Sequence, residues 1–207
     1  MYWAEFITIA IAHLFAVASP GPDFAIVLKQ SVRGGTSLGV WTSAGVGAGI
    51  LVHVTYCLLG VALVLSQSPV LFQWTKIIAG IYLLLLGIRS IQDSFAARVV
   101  NDTAPGDLST QFGRAFVTGF LTNGLNPKAT LFFLALFTVV IAPTTPALVQ
   151  VGYGFYLALA TFAWFAVLSL LLSRQSVRGF FQRSGAWFER GMGIVLILLA
   201  LQIGFTV

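Results

Sequence analysis

Two long stretches without any acidic or basic residue constrain the fold of this chain more than any other feature. They run from Gly34 to Thr75 and from Ala129 to Ser173, and each is long enough for about two membrane-spanning helices of ~20 residues. Only 8% of the whole sequence is charged, against about 25% in soluble domains. The strands of a membrane barrel would alternate polar and apolar residues, which these stretches do not do. We therefore expect an all-α integral membrane protein.

Turn-forming and polar segments divide the sequence into six predicted membrane-spanning helices. These spans lie at about 4–29, 39–65, 70–90, 115–141, 147–173 and 187–206. The longest polar segment, residues 92–113, includes Pro105 and is predicted to be a cytoplasmic linker. It separates a first three-helix repeat, residues 1–91, from a second three-helix repeat, residues 114–207.

The positions of the basic residues predict the orientation in the membrane. Nine of them fall in the loops between spans 1 and 2, 3 and 4, or 5 and 6, whereas the opposite side has only Lys76. The nine are Lys29, Arg33, Arg89, Arg98, Arg114, Arg174, Arg178, Arg183 and Arg190. Because basic loops stay in the cytoplasm, both termini are predicted on the periplasmic side. The net charge of +5 is therefore a topology signal and does not indicate nucleic-acid binding.

Two of the predicted spans contain proline motifs that cannot continue an α-helix. One is Ser19-Pro20-Gly21-Pro22-Asp23, and the other is Asn123-Gly124-Leu125-Asn126-Pro127-Lys128. Proline lacks a backbone donor and clashes with the preceding turn, so helices 1 and 4 are predicted to break at these motifs. Broken backbone in a membrane is tolerated only inside protein or around a watery cavity. Paired breaks in two halves of a chain indicate a transporter's substrate site.

A constant spacing relates the two halves of the sequence. Pro22 and Pro127 are 105 residues apart, and so are Asp23 and Lys128. Because each half has three spans, the second half enters the membrane in the opposite sense, and we predict inverted-topology repeats. Glycines that share this spacing are interpreted as positions where helices pack closely. They are Gly47 with Gly152 and Gly49 with Gly154, and Gly45 belongs to the same group.

Asp23 is the strongest candidate for a functional residue. An ionised carboxylate within a span costs at least ~2.5–3.5 kcal/mol on insertion scales, so it needs a partner or a function. It suits a ligand for a substrate ammonium group or a proton carrier, and it equally suits a cap on a helix that resumes at Phe24. Lys128 is at the equivalent position of the second motif. It is predicted either to pair with Asp23 or to reach toward water without a specific contact.

Three further polar residues have two interpretations each. The amides of Asn123 and Asn126 either cap helix pieces or bind a polar substrate, and the ends of half-helices suit ammonium and carboxylate groups. His53 is either a proton relay or a structural histidine. Two histidines, one cysteine and one acid inside the membrane do not make a convincing metal site, and no cofactor is expected. An enzyme would need a nucleophile with its base or a pair of carboxylates, which the sequence lacks.

The two motifs resemble signatures of the LysE/RhtB family of amino-acid exporters. Residues 12–14 and 19–24 look like the family's first-helix signature, and residues 119–129 look like its fourth-helix signature. Residues 159–165 and 178–183 are similar to the threonine-exporter branch.

This resemblance implies a bacterial inner-membrane protein that exports small neutral amino acids, threonine- or homoserine-like first, by proton antiport with alternating access. It also implies proton coupling through Asp23 and His53. The implied substrate-binding residues are Pro20, Gly21, Pro22, Asp23, Asn123, Asn126, Pro127 and Lys128.

One departure from the family pattern keeps alternatives open. Many relatives have an acidic residue in the second helix ahead of the histidine, whereas residues 49–53 here read Gly-Ile-Leu-Val-His. The substrate and the coupling ion therefore do not transfer directly. The alternatives are an exporter of another small metabolite or cation, an intramembrane enzyme and a structural subunit. The expected partners are a small amino acid and the lipid bilayer, and a homodimer is left open.

Overall fold

The computed structural model describes residues 2–19, 21–95 and 111–171, together with 186–187, 190–191, 193–198 and 200–201. Pro20, most of the predicted linker and the basic residues 174–183 lie outside the described residues. Within these ranges the secondary structure is helical, without strands. The helices are α1 (Trp3–Ala18), α2 (Pro22–Gln67), α3 (Pro69–Asp93), α4 (Gln111–Gly124), α5 (Pro127–Ala135) and α6 (Ala147–Leu171). A π-helical turn, Leu136–Val140, follows α5 directly.

Two helical stretches of the described chain are long and apolar enough to cross a membrane, Gly34–Gly60 and Ala147–Leu171. A third is added when α1 and Pro22–Val32, which meet at an angle of 53°, are taken as one bent span. Gly80–Gln92 and Lys128–Val140 are shorter apolar helices. These findings agree with the predicted all-α membrane class. The full set of six spans and the inverted repeat stay predictions.

Helix α2 is interrupted at Gly35, which has φ 76° and ψ 177°. Side chains other than glycine rarely adopt such a positive φ because their Cβ atom is crowded there. Gly35 is the only described residue with a positive φ. The glycine lets the chain change direction between Pro22–Val32 and the long apolar stretch that begins at Gly34.

Glycines bring α2 close to the backbone of α4. A Cβ atom built on Gly45 would collide with the carbonyl oxygen of Phe116, and one on Gly119 would collide with the carbonyl oxygen of Thr42. Small residues at such positions allow membrane helices to approach closely. The packing interpretation therefore holds for Gly45.

The same interpretation holds for the contact between α2 and α6, with one exception. A Cβ on Gly47 would lie 2.9 Å from the Ala158 carbonyl oxygen, and one on Gly154 would lie 2.5 Å from a methyl group of Val54. Among the described residues, in contrast, a Cβ on Gly152 would meet no atom within 4 Å. The described contacts therefore give no support to the packing interpretation of Gly152.

The apolar core joins α1, α2, α3, the α5 region and α6. Its fully buried members include Ile9, Cys57, Leu83, Leu136 and Leu157. Cys57 is a free thiol, which fits its interpretation as a small buried apolar residue. This packing holds the start of α5 against α1 and α2, where the two proline motifs lie.

Glu5 links the start of α1 to the segment that precedes α6. Its Oε1 atom accepts hydrogen bonds from the Ala142 backbone N–H at 3.1 Å and the Thr145 hydroxyl at 2.8 Å. Its Oε2 atom accepts one from the Tyr153 hydroxyl at 3.2 Å. No sequence pattern singles out Glu5, because its partners lie about 140 residues away.

Candidate functional site

Both proline motifs lie at junctions between helices. The first spans the gap between α1 and α2, and the second spans the gap between α4 and α5. Pro22 and Pro127 each occupy the first position of a helix, where a backbone N–H has no helical partner and its absence costs nothing. Asn126 caps α5, since its side chain accepts a hydrogen bond from the Lys128 backbone N–H at 3.0 Å. The amide of Asn126 thus serves as a helix cap, one of its two predicted roles.

A cleft lies where the two motifs meet. Six of the predicted site residues line it, namely Gly21, Pro22, Asp23, Asn123, Asn126 and Lys128. Its volume of about 60 Å³ has room for roughly four to six water molecules at ~10–15 Å³ each. The cleft therefore suits a compact polar solute better than a large apolar drug. The described residues contain no group of three or more His, Cys, Asp or Glu residues arranged to hold a metal ion.

Asp23 forms the polar centre of this cleft together with Asn123. The Asn123 side-chain amide donates a hydrogen bond of 2.9 Å to Oδ2 of Asp23, and Asn123 is 1% exposed. The other carboxylate oxygen, Oδ1, is buried and accepts no hydrogen bond from the described residues. Buried polar atoms are nearly always paired, so an unpaired acceptor at this cleft indicates a position for a donor.

The position of Asp23 argues against the capping interpretation. The helix begins at Pro22 rather than at Phe24, so Asp23 lies inside the first turn. Its carboxylate bonds Asn123 of another helix instead of the backbone N–H groups that a cap would satisfy. A negative charge in this turn still interacts favourably with the helix dipole.

Lys128 lies in the same cleft and makes specific contacts. Its ammonium group donates a hydrogen bond of 3.3 Å to the Ser19 hydroxyl and interacts electrostatically with the Asp23 carboxylate. The alternative in which Lys128 reaches toward water without a specific contact is therefore wrong. Asp23 and Lys128, which are 105 residues apart in the sequence, thus place opposite charges at one site.

His53 does not line the cleft but lies behind Asn123. Its Nε2–H donates a hydrogen bond of 2.9 Å to the Asn123 backbone carbonyl oxygen, and its Nδ1 is 2.7 Å from the Tyr56 hydroxyl. The ring stacks on Phe133 with centroids 5.4 Å apart. The Tyr56 hydroxyl is also 3.3 Å from the Thr130 carbonyl oxygen, which can accept its hydrogen in place of Nδ1. A chain of polar contacts thus runs from Asp23 through Asn123 and His53 to Tyr56.

Gly49 makes room for this arrangement. A Cβ at position 49 would lie 2.8 Å from Oδ1 and 2.9 Å from Cβ of Asn123. Any larger residue would push against Asn123, whose amide holds the Asp23 carboxylate. The glycine interpreted from the sequence as a packing residue therefore also sets the position of a cleft side chain.

Two polar residues that the sequence did not single out as site residues also line the cleft, His13 and Thr161. The Nε2 atom of His13 is 2.8 Å from the Thr161 hydroxyl oxygen. They are 148 residues apart in the chain, and no spacing pattern connects them. Pro20 lies outside the described residues, and the side chain of Pro127 is also not described.

Comparisons with known proteins add to this geometry. The profile of the LysE type translocator family matches residues 14–206. The threonine efflux protein of Escherichia coli (strain K12) is 28% identical over 200 residues, covering 93% of this chain and 97% of that protein. The threonine efflux protein of Salmonella typhi is 29% identical over the same length and shares of both chains.

A relative with a different name is similar over a shorter length. The leucine efflux protein of Salmonella choleraesuis (strain SC-B67) is 31% identical over 175 residues, covering 83% of this chain and 77% of that protein. No solved structure matches the chain. The family is one of translocators, in agreement with the prediction that the chain is not an enzyme. With nearly its whole length matched, the chain belongs to the LysE type translocator family.

Proposed function

We propose that this protein is a secondary-active exporter of small neutral amino acids, threonine- or homoserine-like first, in the bacterial inner membrane. One observation carries the proposal: the buried Oδ1 of Asp23, which accepts no hydrogen bond from the described residues, lies at a cleft that also holds the Lys128 ammonium group. The relatives named for threonine and leucine efflux support the substrate class and the direction of transport.

The charges of the cleft match those of a zwitterion. An α-ammonium group offers the donor that Asp23 Oδ1 lacks, and charge-assisted hydrogen bonds of this kind are about twice as strong as neutral ones. The α-carboxylate of the same solute pairs with Lys128. A bound amino acid therefore offers an oppositely charged group to each of the two residues, whereas a simple cation or anion would offer one to only one of them.

The proposed mechanism is alternating access between two inverted halves, residues 1–91 and 114–207. The two broken-helix motifs, one from each half, line a single cleft, as expected when a substrate site lies at the interface of inverted repeats. The basic loops define the cytoplasmic side. Both termini are then periplasmic, and Glu5 lies near the outer end of the bundle. A single copy of the chain supplies the whole cleft.

Proton antiport is proposed to use Asp23 and His53, because the contacts of His53 satisfy both of its charge states. In the neutral ring, Nε2–H donates to the Asn123 carbonyl oxygen and Nδ1 accepts from the Tyr56 hydroxyl. In the protonated ring, Nδ1–H donates to the Tyr56 oxygen, whose own hydrogen turns to the Thr130 carbonyl oxygen. No donor is left unpaired in either state.

The Tyr56→Phe variant tests this relay. The variant removes the acceptor for Nδ1–H, and a hydrogen bond from a charged group exceeds a neutral one by about 1 kcal/mol. We expect the external pH that gives half-maximal efflux to fall by roughly one unit. Tyr156→Phe, which removes a hydroxyl on a different helix, α6, is the control and is expected to keep the wild-type midpoint. Equal midpoints in the two variants would remove Tyr56 and His53 from the coupling.

Transport by purified protein in liposomes tests the function itself. Liposomes are loaded with radiolabelled threonine, homoserine, leucine or lysine and are given an inwardly directed proton gradient, with the acidic side outside. Release is compared with that from protein-free liposomes. We expect release of the neutral amino acids, with a loss of rate when the gradient is collapsed by an ionophore. Release that ignores the gradient would exclude proton coupling. If no amino acid moves, a different small metabolite or cation becomes the substrate class to test.

A further inference from the structure

A second polar contact lies in the cleft, apart from the Asp23 and Lys128 charges. His13 of α1 and Thr161 of α6 are 4% and 2% exposed, and their side chains are hydrogen-bonded at 2.8 Å. The rest of the lining beyond the two proline motifs is apolar. It includes Ala16, Val17, Ile50, Phe132, Phe133 and Phe165.

The His13–Thr161 pair can accept a further hydrogen bond. A threonine hydroxyl has one hydrogen and two lone pairs, and an imidazole has two ring nitrogens that act as donor or acceptor. Their mutual bond uses one donor and one acceptor, so the Thr161 oxygen retains a free lone pair. A solute hydroxyl that donates to this oxygen gains a hydrogen bond without breaking the existing one. An apolar side chain leaves the pair satisfied by its own bond, and so it is disfavoured only modestly.

We propose that His13 and Thr161 form the subsite for the substrate side chain and select side chains that carry a hydroxyl. This inference rests on the proposed function, in which Asp23 and Lys128 bind the ammonium and carboxylate groups. A solute anchored at those charges directs its side chain to the rest of the lining, where His13 and Thr161 are the polar residues outside the motifs. Relatives named for threonine and for leucine efflux differ in whether that side chain has a hydroxyl.

The test compares threonine with valine, which has nearly the same shape but a methyl group in place of the hydroxyl. Release of both from proteoliposomes is measured for wild type, Thr161→Val and Thr161→Ser. One neutral hydrogen bond corresponds to about a five-fold preference, so we expect wild type to favour threonine by about that factor. The ratio is expected to fall to about one in Thr161→Val and to be kept in Thr161→Ser, which retains a hydroxyl.

Thr138→Val is the matched control. Thr138 is 1% exposed, its hydroxyl bonds the Leu134 backbone carbonyl oxygen at 2.9 Å, and it does not line the cleft. Its threonine-to-valine ratio is expected to equal that of wild type. If wild type transports both solutes and Thr161→Val has the same threonine-to-valine ratio as wild type, the subsite is overturned and the proposed exporter function stands. If Thr161→Val does not fold, Thr161→Ala provides the same readout. Transport of neither solute by wild type would instead overturn the proposed function.

Discussion

Replacing Asp23 with asparagine is expected to lower amino-acid efflux by roughly 10- to 150-fold, the equivalent of one charge-assisted hydrogen bond. Asparagine has nearly the same shape, and its side-chain oxygen can still accept the hydrogen bond that Asn123 donates to the carboxylate at 2.9 Å. The variant therefore keeps the contact between α2 and α4 but loses the negative charge that faces the substrate ammonium group. The loss is measured as the initial rate of threonine release from liposomes that contain equal amounts of folded protein.

The control for this variant removes an acidic charge far from the cleft in sequence. Asp107→Asn changes a carboxylate in the predicted linker and is expected to transport at the wild-type rate. If Asp23→Asn matches the rate of Asp107→Asn, Asp23 does not bind the substrate ammonium group. A charge-swapped double variant, Asp23→Lys with Lys128→Asp, extends the test, since recovery of transport over either single variant would support direct pairing of the two positions.

Gly45→Ala is expected to have the largest effect on stability. The added methyl group collides with the backbone carbonyl oxygen of Phe116, which is fixed within α4 and cannot rotate away as a side chain would. Overpacking costs about 1–3 kcal/mol, and each kcal/mol lowers the melting temperature of a chain of this size by roughly 2–4 °C. We expect the midpoint of thermal unfolding in detergent to fall by roughly 5–10 °C.

Gly60→Ala is the control in the same helix. A Cβ at Gly60 would meet no atom of the described residues within 4 Å, and alanine is favoured over glycine in helices by up to about 1 kcal/mol. This variant is expected to melt at or slightly above the wild-type temperature. A Gly45→Ala protein as stable as Gly60→Ala would mean that α2 and α4 are not in backbone contact at this point.

The cleft could be predicted from the sequence because its two charged residues lie in the two proline motifs. The 105-residue spacing connects Asp23 with Lys128, and the structure places both at one cleft. The charge-free stretches likewise indicated the helical membrane class. Both inferences use patterns that depend on the chain alone, namely proline within an apolar span and the distribution of charge.

The remaining contacts depend on how each helix is rotated about its axis, which the apolar pattern of a membrane helix leaves open. His13 and Thr161, and Glu5 and Thr145, are paired only once α1 and α6 are packed. His53 bonds the backbone carbonyl oxygen of Asn123. Because every residue has a backbone carbonyl group, the sequence does not indicate which one acts as the acceptor. Local preferences also misled in one case, since a carboxylate after a proline suggested a cap, whereas Asp23 bonds a different helix.

The π turn at Leu136–Val140 places an extra residue in the segment that follows α5. A π turn contains more residues than an α turn, so its conversion to α geometry would shift the chain beyond it by about 1.5 Å and rotate it by roughly 100°. Phe133, beside the cleft, precedes this turn, and Ala142, whose N–H binds Glu5, follows it. A slip of one residue would therefore carry a change at the cleft to the Glu5 contacts at the start of α1 without unfolding α5. The turn is thus placed to couple the lining of the cleft to these contacts.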